Sequence, residues 1–125
     1  MSKRRIKVLV VDDSEIIHTY VRAVLEAVGY EVIGLDNPTG FSRTLMLEKP
    51  DLVLMDVHMP ALRGDRLVEI VRRSGLTRCP IVLFSDRPET ELARLVEECG
   101  ADGYIRKNQD PTLLALKVRR FLPQG

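Results

Sequence analysis

The chain has 125 residues, 45% of them apolar, which is enough for one globular domain with a substantial core. Its 19 basic and 18 acidic residues leave a formal net charge of +1, so charge gives no reason to expect nucleic acid or an anionic membrane as a partner. No apolar stretch reaches membrane-spanning length, and no apolar secretory signal opens the chain. These features predict a single cytoplasmic domain over residues 1–125.

Minor features of the chain fit the same class. The two cysteines, Cys79 and Cys99, show neither metal-ligand nor redox-motif spacing, and we expect them to be reduced packing residues. The basic start Lys3-Arg4-Arg5 is predicted to be a solvated lead-in to the first strand.

Apolar runs typical of strands alternate with amphipathic segments along the whole chain. Strands are predicted over residues 6–11, 31–35, 52–56, 80–85 and 103–105. Helices are predicted to end at Gly29, to run over about 38–48, about 64–75 and about 88–98, and to follow Pro111. The apolar stripe of the first helix consists of Ile17, Val21, Val24 and Val28, and that of the third of Leu67, Ile70 and Val71. The stripe of the fourth helix consists of Leu92, Leu95, Val96 and Cys99, and that of the fifth of Leu114, Val118, Phe121 and Leu122.

Five repetitions of strand and helix predict a parallel sheet that is covered on both faces. The first, third and fourth strands are rich in Val, Leu and Ile with little alternation, so they belong in the centre of the sheet. The second and fifth strands are weaker and belong at its edges. The predicted fold is α/β: a flavodoxin-like, doubly wound sheet of five parallel strands, order 2-1-3-4-5, with five helices on both faces.

Acidic side chains gather where two central strands end. The first strand is followed by Asp12 and Asp13, and the third ends in Asp56. Three carboxylates at one sheet edge repel one another, and a hard divalent cation resolves the conflict. Oxygen ligands without His or Cys suit magnesium. Helix capping is the structural alternative, and it accounts for only one of the three aspartates.

The fourth and fifth strands lead to complementary donors, Ser85 and Lys107. Taken alone, Ser85 is a common strand-end residue, and Lys107 could simply neutralise the carboxylates as a buried ion pair. Together with the aspartates they predict a site for a metal and a tetrahedral dianion such as phosphate, with one carboxylate free to act as nucleophile.

Four segments carry a resemblance to a known family: "VLVVDDSE" at 8–15, "PDLVLMDVHMPALRG" at 50–64, "PIVLFS" at 80–85 and "GADGYIRK" at 100–107. In this order and spacing they resemble the receiver domains of bacterial two-component response regulators, of the single-domain, chemotaxis-regulator-like kind. The resemblance covers nearly the whole chain.

The resemblance implies a phosphorylation site. Asp56 takes the place of the aspartate that accepts a phosphoryl group from a histidine kinase or phosphotransfer protein. Asp13 and Asp56 would ligate Mg²⁺ directly, Asp12 through a water, and His58 through its backbone carbonyl, while the His58 imidazole stays exposed. No cofactor other than Mg²⁺ is expected.

The resemblance also implies a switch. Lys107 and Ser85 would bind phosphoryl oxygens, and Ser85 and Tyr104 would move together to change the face formed by the fourth helix, fifth strand and fifth helix. A surface position is the structural alternative for Tyr104. Off-stripe residues form candidate partner surfaces: Ile16 and Tyr20 on the first helix, and Leu113 and Leu116 on the fifth.

Two positions, Asn108 and Asp86, depart from the family pattern. Asn108 replaces the usual proline after Lys107, which predicts a trans peptide bond and leaves the reach of Lys107 in question. Asp86 and Glu89 resemble a capping box for the fourth helix, the alternative being an additional negative charge that weakens phosphoryl binding. Arg87 and His58 occupy positions that often tune dephosphorylation in this family.

The main functional hypothesis is therefore a stand-alone receiver, a monomer or weak homodimer, that signals to a downstream protein. No output domain is expected, since four residues follow Phe121; the alternative is a fragment of a longer regulator, because a chain cut after the fifth helix would look the same. A pseudo-receiver acting as a phosphorylation-independent interaction module is the alternative. An aspartyl-phosphate hydrolase is disfavoured by His58, which stands where such enzymes place a second acid, and a flavin carrier by the acidic sheet edge. No small-molecule turnover is expected.

Overall fold

The computed structural model describes residues 5–108 and 110–123, so Lys3 and Arg4 of the predicted lead-in lie outside the described residues. Strands and helices alternate from one end of the described chain to the other. They are β1 (Lys7–Val11), α1 (Glu15–Ala27), β2 (Glu31–Leu35), α2 (Phe41–Glu48), β3 (Leu52–Met55), α3 (Gly64–Ser74), β4 (Ile81–Ser85), α4 (Glu89–Cys99), β5 (Gly103–Arg106) and α5 (Pro111–Phe121).

The five strands form one parallel sheet in the order β2-β1-β3-β4-β5, as predicted. Every residue of β3 and β4 is buried, because helices cover both of their faces. The register sets Val11 opposite both Leu35 and Met55. The residues that follow β1 and β3 therefore emerge side by side at the carboxyl edge of the sheet.

Two apolar layers enclose the sheet. Side chains of α2, α3 and α4 pack on one face, with Phe41, Leu67 and Leu92 among the buried members. Side chains of α1 and α5 pack on the other, with Val21 and Leu114 fully buried. Alternate residues of each strand supply the two layers, and burial of such side chains is worth about 1.5–3 kcal/mol each.

The predicted apolar stripes are correct for α4 and α5 and partly wrong for α1 and α3. Val28 is 53% exposed because it lies at the C-cap, beyond the last turn of α1, and Leu25 is buried in its place. Ile70 is 44% exposed, and Val68 is the buried residue on α3. In each helix, apolar residues two or three positions apart both fitted a helical stripe, so the period alone did not choose between them.

Two predicted helix starts are corrected. Helix α2 begins at Phe41 and not at Pro38, because residues 38–40 form a turn in which the Phe41 N–H donates to the Pro38 carbonyl. Helix α4 begins at Glu89 with Pro88 at its N-cap and no side-chain cap. The capping box predicted for Asp86 and Glu89 is therefore wrong: Glu89 is the first helical residue, since the residue before a proline is disfavoured in helical conformation.

Within the described residues, no helix is both long and apolar enough to cross a bilayer.

Cys79 and Cys99 are both free, the first half-buried and the second buried. Burial raises the pKa of Cys79 to about 12, so this thiol stays protonated at neutral pH. Both observations agree with the packing role predicted for the cysteines.

Candidate functional site

Backbone hydrogen bonds extend the sheet ladder into the candidate site. The Asp56 N–H donates to the Val11 carbonyl at 2.8 Å, and the Lys107 N–H donates to the Ser85 carbonyl at 2.9 Å. Asp56 follows β3, which ends one residue earlier than predicted, and Lys107 follows β5. The sheet itself therefore fixes the backbone from which each of these side chains projects.

The three aspartates meet as predicted. Asp12 is fully buried, Asp56 is 4% exposed and Asp13 is exposed, and one carboxylate oxygen of each lies within 4.8 Å of the others. Neither Asp12 nor Asp13 caps α1, because the Ser14 hydroxyl accepts the Ile17 N–H at 3.3 Å. Capping therefore leaves the acidic cluster unexplained.

Lys107 bridges two of these carboxylates. Its Nζ lies 2.8 Å from Asp12 Oδ2 and 3.1 Å from Asp56 Oδ1. The reach of Lys107, which the sequence left in question, is thus sufficient with asparagine at position 108. No cis peptide bond occurs among the described residues, which agrees with the trans bond predicted before Asn108.

One lysine does not balance the cluster. Burial raises the pKa of Asp56 above its ordinary value and the charge of Asp12 adds to the effect, while Lys107 and the His58 N–H oppose it. For Lys107, burial lowers the pKa, but the close carboxylate of Asp12, together with that of Asp56, raises it overall. Lys107 is therefore charged at neutral pH and faces an excess of negative charge.

The donor set fits a divalent cation. Asp12 Oδ2 is buried and has Lys107 as its ion-pair partner, yet no described donor is aligned to give it a hydrogen bond. Asp13 lies at the solvent-facing side of the cluster. Carboxylate oxygens, with no thiol or imidazole among them, are the ligands that suit Mg²⁺. Asp12, Asp13 and Asp56 would hold the ion, and it would neutralise charge on an incoming anion.

The other predicted residues surround this cluster. The Ser85 side chain is buried, and its hydroxyl accepts the Arg87 N–H at 3.1 Å without bonding any carboxylate. The Tyr104 hydroxyl donates to Glu89 Oε1 at 3.1 Å on an exposed side of β5. The His58 side chain is exposed, as predicted, and its N–H lies 3.4 Å from Asp56 Oδ1. The use of the His58 carbonyl as a ligand stays a prediction.

One residue at the site was missed from the sequence. His18 on α1 turns its ring toward the turn after β1, where Nε2 lies 2.6 Å from the Asp12 carbonyl oxygen. The available signal was the glycine inside β2, because Gly34 interrupts an apolar strand and such a glycine often marks a close approach. The glycine alone does not identify the approaching residue, because that depends on which residue of α1 packs over Gly34.

The fold and this cluster together define a class: a flavodoxin-like signalling domain of the CheY type, with its acidic site at the carboxyl edge of the sheet. Residues 8–119 match the family described as the response regulator receiver domain, and the chain belongs to this family of two-component response regulators.

Similar proteins of known sequence and structure agree. The chain is 34% identical over 93% of its length to PhoP of Bacillus subtilis, the alkaline phosphatase synthesis transcriptional regulatory protein, and covers 48% of that relative. It superimposes on chemotaxis protein CheY4 of Vibrio cholerae with a TM-score of 0.86 and 28% identity, over 95% of this chain and 100% of that one.

A second solved structure is the BeF3-activated N-terminal receiver domain of RstA from Klebsiella pneumoniae, with a TM-score of 0.85, 29% identity, and coverage of 94% of this chain and 99% of that one. The chain spans about half the length of the curated regulatory relatives it matches.

Proposed function

We propose that this chain is the phosphoacceptor receiver of a two-component phosphorelay, phosphorylated on Asp56 with the help of Mg²⁺. The observation that supports this proposal is the buried carboxylate of Asp56, held between Lys107 and two further aspartates at the carboxyl edge of the sheet. The phosphoryl donor would be the phosphohistidine of a histidine kinase or of a phosphotransfer protein.

The hydrogen bonds of Asp56 select its attacking oxygen. Oδ1 accepts from Lys107 Nζ and lies within reach of the His58 N–H, so Oδ2 is left as the nucleophile. In the transfer step an Oδ2 electron pair forms the new O–P bond, while the P–N bond to the donor histidine breaks and its electrons return to the imidazole. The product is an acyl phosphate, and positioning and charge neutralisation do most of the catalysis.

Lys107 has two roles in this proposal. Before transfer its ammonium neutralises the Asp12 and Asp56 carboxylates, and after transfer it can bind an oxygen of the phosphoryl group instead. Bound Mg²⁺ would supply the additional positive charge that the three aspartates call for. Ser85 would donate its hydroxyl to another phosphoryl oxygen, leaving the Arg87 N–H that it now accepts.

The output would be a change of the surface formed by α4, β5 and α5. In the present arrangement Tyr104 is tied to Glu89, the first residue of α4, by an exposed hydrogen bond. We expect movement of Ser85 to open space behind Tyr104, so that the ring leaves Glu89 and turns inward. A downstream protein that prefers one arrangement would read the change.

Hydrolysis of the acyl phosphate would reset the signal, and Arg87 is held in an ion pair in the present arrangement. Its Nε and Nη2 each lie 3.0 Å from a Glu91 carboxylate oxygen. Any effect of Arg87 on hydrolysis would therefore compete with this pair.

Two exposed apolar patches would serve as partner surfaces. Ile16 on α1 is 80% exposed beside the site, which suits docking of the phosphoryl donor. Leu113 and Leu116 on α5 are 45% and 46% exposed, next to the face that would carry the output. We place this signalling in the cytoplasm, with the receiver as a monomer or weak homodimer and without turnover of small molecules.

The pseudo-receiver alternative is distinguished by one experiment. The chain is incubated with acetyl phosphate and Mg²⁺, and its intact mass is followed with time under conditions that preserve acyl phosphates. We expect the mass of one phosphoryl group to appear and then decay. Absence of any increase over the time course would favour the phosphorylation-independent interaction module. Sustained turnover of a generic phosphomonoester would instead favour a hydrolase.

A further inference from the structure

The side chain of His18 makes a contact that the phosphorylation chemistry does not use. His18 lies in the second turn of α1, half-buried, and its Nε2 is 2.6 Å from the backbone carbonyl oxygen of Asp12. A carbonyl oxygen can only accept a hydrogen bond, so Nε2 must carry the proton. The imidazole therefore donates directly to the backbone of one member of the acidic cluster.

The sheet provides no strand donor for this carbonyl. In a parallel strand, the N–H and C=O of one residue face the same neighbouring strand. The Asp12 N–H donates to the Leu35 carbonyl of β2 at 3.1 Å, and β2 ends at that residue. Among the described residues, the His18 ring donates to the Asp12 carbonyl and takes the place of the missing strand partner.

Gly34 makes room for the imidazole. A Cβ built on Gly34 would lie 2.7 Å from His18 Nδ1 and 3.0 Å from Cε1, closer than such atoms normally pack. The φ angle of Gly34 is not in the left-handed region, so close approach and not backbone conformation calls for glycine here. The two residues are complementary in size, because the absence of a side chain at Gly34 on β2 leaves space for the His18 ring from α1.

A second hydrogen bond links the same turn to its own side chain. Asp12 Oδ1 accepts the Ser14 N–H at 2.9 Å, so the direction of the Asp12 carboxylate depends on the path of residues 12–14. The His18 ring holds one end of that short path, and the α1 cap at Ser14 holds the other. We expect a change at the Asp12 carbonyl to alter the direction of the Asp12 carboxylate, and of the Asp13 carboxylate that follows it in the same turn.

We propose that His18, seated over Gly34, is a positioning residue for the divalent-cation site. Its Nε2–H bond to the Asp12 carbonyl holds the turn after β1 so that the carboxylates of Asp12 and Asp13 face Asp56. His18 acts through the backbone and does not touch the cation. The inference rests on the proposed function, because it concerns the cation site that phosphorylation would use.

The first test measures Mg²⁺ binding by isothermal titration calorimetry on the whole chain without any phosphodonor. His18→Leu keeps the bulk of the ring and removes the donor, and we expect it to weaken Mg²⁺ binding about tenfold, the scale typical of residues that orient metal ligands. His18→Gln places an amide N–H near the position of Nε2, and we expect binding within about threefold of wild type.

A stability-matched control separates positioning from general structure. Val21→Ala removes buried volume from the same helix, one turn further on, and is expected to lower the melting temperature without changing the affinity for Mg²⁺. If His18→Leu and Val21→Ala weaken Mg²⁺ binding equally at matched melting temperature, His18 has only a structural role and the inference is overturned.

A second variant tests the role of Gly34. Gly34→Ala should push the ring from the Asp12 carbonyl and weaken Mg²⁺ binding, whereas the same change in a His18→Leu background should cost little more. In metal-free wild type, the Ser14 amide should exchange with solvent more slowly than in His18→Leu. Additive losses of affinity, or unchanged Ser14 exchange, would contradict the proposed bond.

The outcomes also separate this inference from the proposed function. If wild type binds Mg²⁺ and is phosphorylated but His18→Leu binds Mg²⁺ equally well, only the role of His18 is wrong. If wild type binds no Mg²⁺ at millimolar concentration, the cation site and the role of His18 are both wrong.

Discussion

Gly64 packs directly against the backbone of Asp56. A Cβ built on Gly64 would overlap the Asp56 carbonyl oxygen and lie 2.8 Å from the Asp56 carbonyl carbon and from Met55 Cγ. The Gly64 N–H also donates to the Val57 carbonyl at 2.9 Å. The first residue of α3 thus sets the path of the chain just after β3, where the proposed phosphoacceptor lies.

Gly64→Ala is expected to displace the backbone of Asp56 and to slow phosphorylation by acetyl phosphate at least tenfold, because small misplacements of reacting groups are costly. The change should also destabilise the fold by about 1–3 kcal/mol through overpacking. Rates of phosphorylation from intact mass and the free energy of unfolding in urea measure the two effects.

Gly29→Ala is the matched control for this change. Gly29 has φ of 94° at the end of α1, far from Asp56 along the fold, and alanine there is strained by about 1 kcal/mol. The control should lose stability and keep its rate of phosphorylation. Equal rates for Gly64→Ala and wild type would show that the close approach does not position Asp56.

In the proposed function, Lys107 would compete with a cation for the carboxylates of Asp12 and Asp56. Lys107→Met removes a positive charge that lies 2.8 Å from Asp12, and we expect affinity for Mg²⁺ to rise roughly tenfold, equivalent to about 1.4 kcal/mol of removed repulsion. The rate of phosphorylation should fall in the same variant, because a phosphoryl oxygen loses its partner. Calorimetry and intact mass report the two quantities.

Lys7→Met controls for the loss of one positive charge from the chain. Lys7 pairs with Glu48 at the start of β1, at the opposite edge of the sheet from Asp12. Its removal should leave Mg²⁺ affinity within about twofold of wild type, because Lys7 and Asp12 lie at opposite ends of β1 and Lys7 is already paired with Glu48. Equal gains in the two variants would assign the effect to net charge and not to the bridge.

The raised pKa of Asp56 means that ionisation of this carboxyl group lowers the free energy of unfolding of the metal-free chain. Since the folded pKa lies above the unfolded value of about 3.9, this residue destabilises the fold increasingly as pH rises through the folded pKa, and has no such effect below the unfolded pKa. Asp56→Asn should therefore stabilise the metal-free chain at pH 7 by on the order of 1 kcal/mol, or a few degrees.

The pH dependence identifies the cause of that gain. The advantage of Asp56→Asn should shrink as pH falls toward 4 and should be reduced at pH 7 by saturating Mg²⁺, which stabilises the wild-type carboxylates. Glu97→Gln, on the exposed side of α4, should show a change of less than about 0.5 kcal/mol across the same range. A wild type more stable than Asp56→Asn in metal-free buffer at pH 7 would contradict the account.

Arg72 connects α3 to the amino edge of the sheet, away from the site. Its guanidinium donates to the carbonyls of Thr77, Cys79 and Gly100 and pairs with Asp102 at 2.7 Å. Arg72→Met should lower the free energy of unfolding by about 2–3 kcal/mol, because the half-buried carbonyls of Thr77 and Cys79 lose their donor. Urea unfolding measures the loss, and phosphorylation of the folded variant should be retained.

Arg73→Met is the neighbouring control, because Arg73 is exposed on the same helix. We expect a change within about 0.5 kcal/mol. A loss as large as that of Arg72→Met would point to net charge or helix propensity and not to the hydrogen bonds of Arg72.

Most of the fold follows from local patterns in the sequence. Unbroken apolar strands belong in the centre of a parallel sheet, and the carboxyl ends of neighbouring strands meet at one edge. These two rules bring Asp12, Asp13 and Asp56 together before any coordinates are known. The sequence also places Lys107 at this edge. Whether its ammonium group reaches the carboxylates depends on the loop at Asn108, whose conformation the sequence pattern did not predict.

The failures have two different causes. The box predicted from Asp86 and Glu89 ignored the restriction that Pro88 places on its neighbour, so the helix starts three residues after Asp86. The contact of His18 with Gly34 depends on the register of α1 over β2, a tertiary relationship that helical spacing does not encode. Local rules predict elements, whereas contacts between elements need the packed structure.

The most direct test of the central claim locates the phosphoryl group. The chain is phosphorylated with acetyl phosphate and Mg²⁺ and reduced with borohydride, which converts an aspartyl phosphate to homoserine, and its peptides are sequenced by mass spectrometry. We expect homoserine at position 56 and none in Asp56→Asn or in samples treated with a chelator. Homoserine at Asp12 or Asp13, or a phosphoryl group that persists in Asp56→Asn, would contradict it.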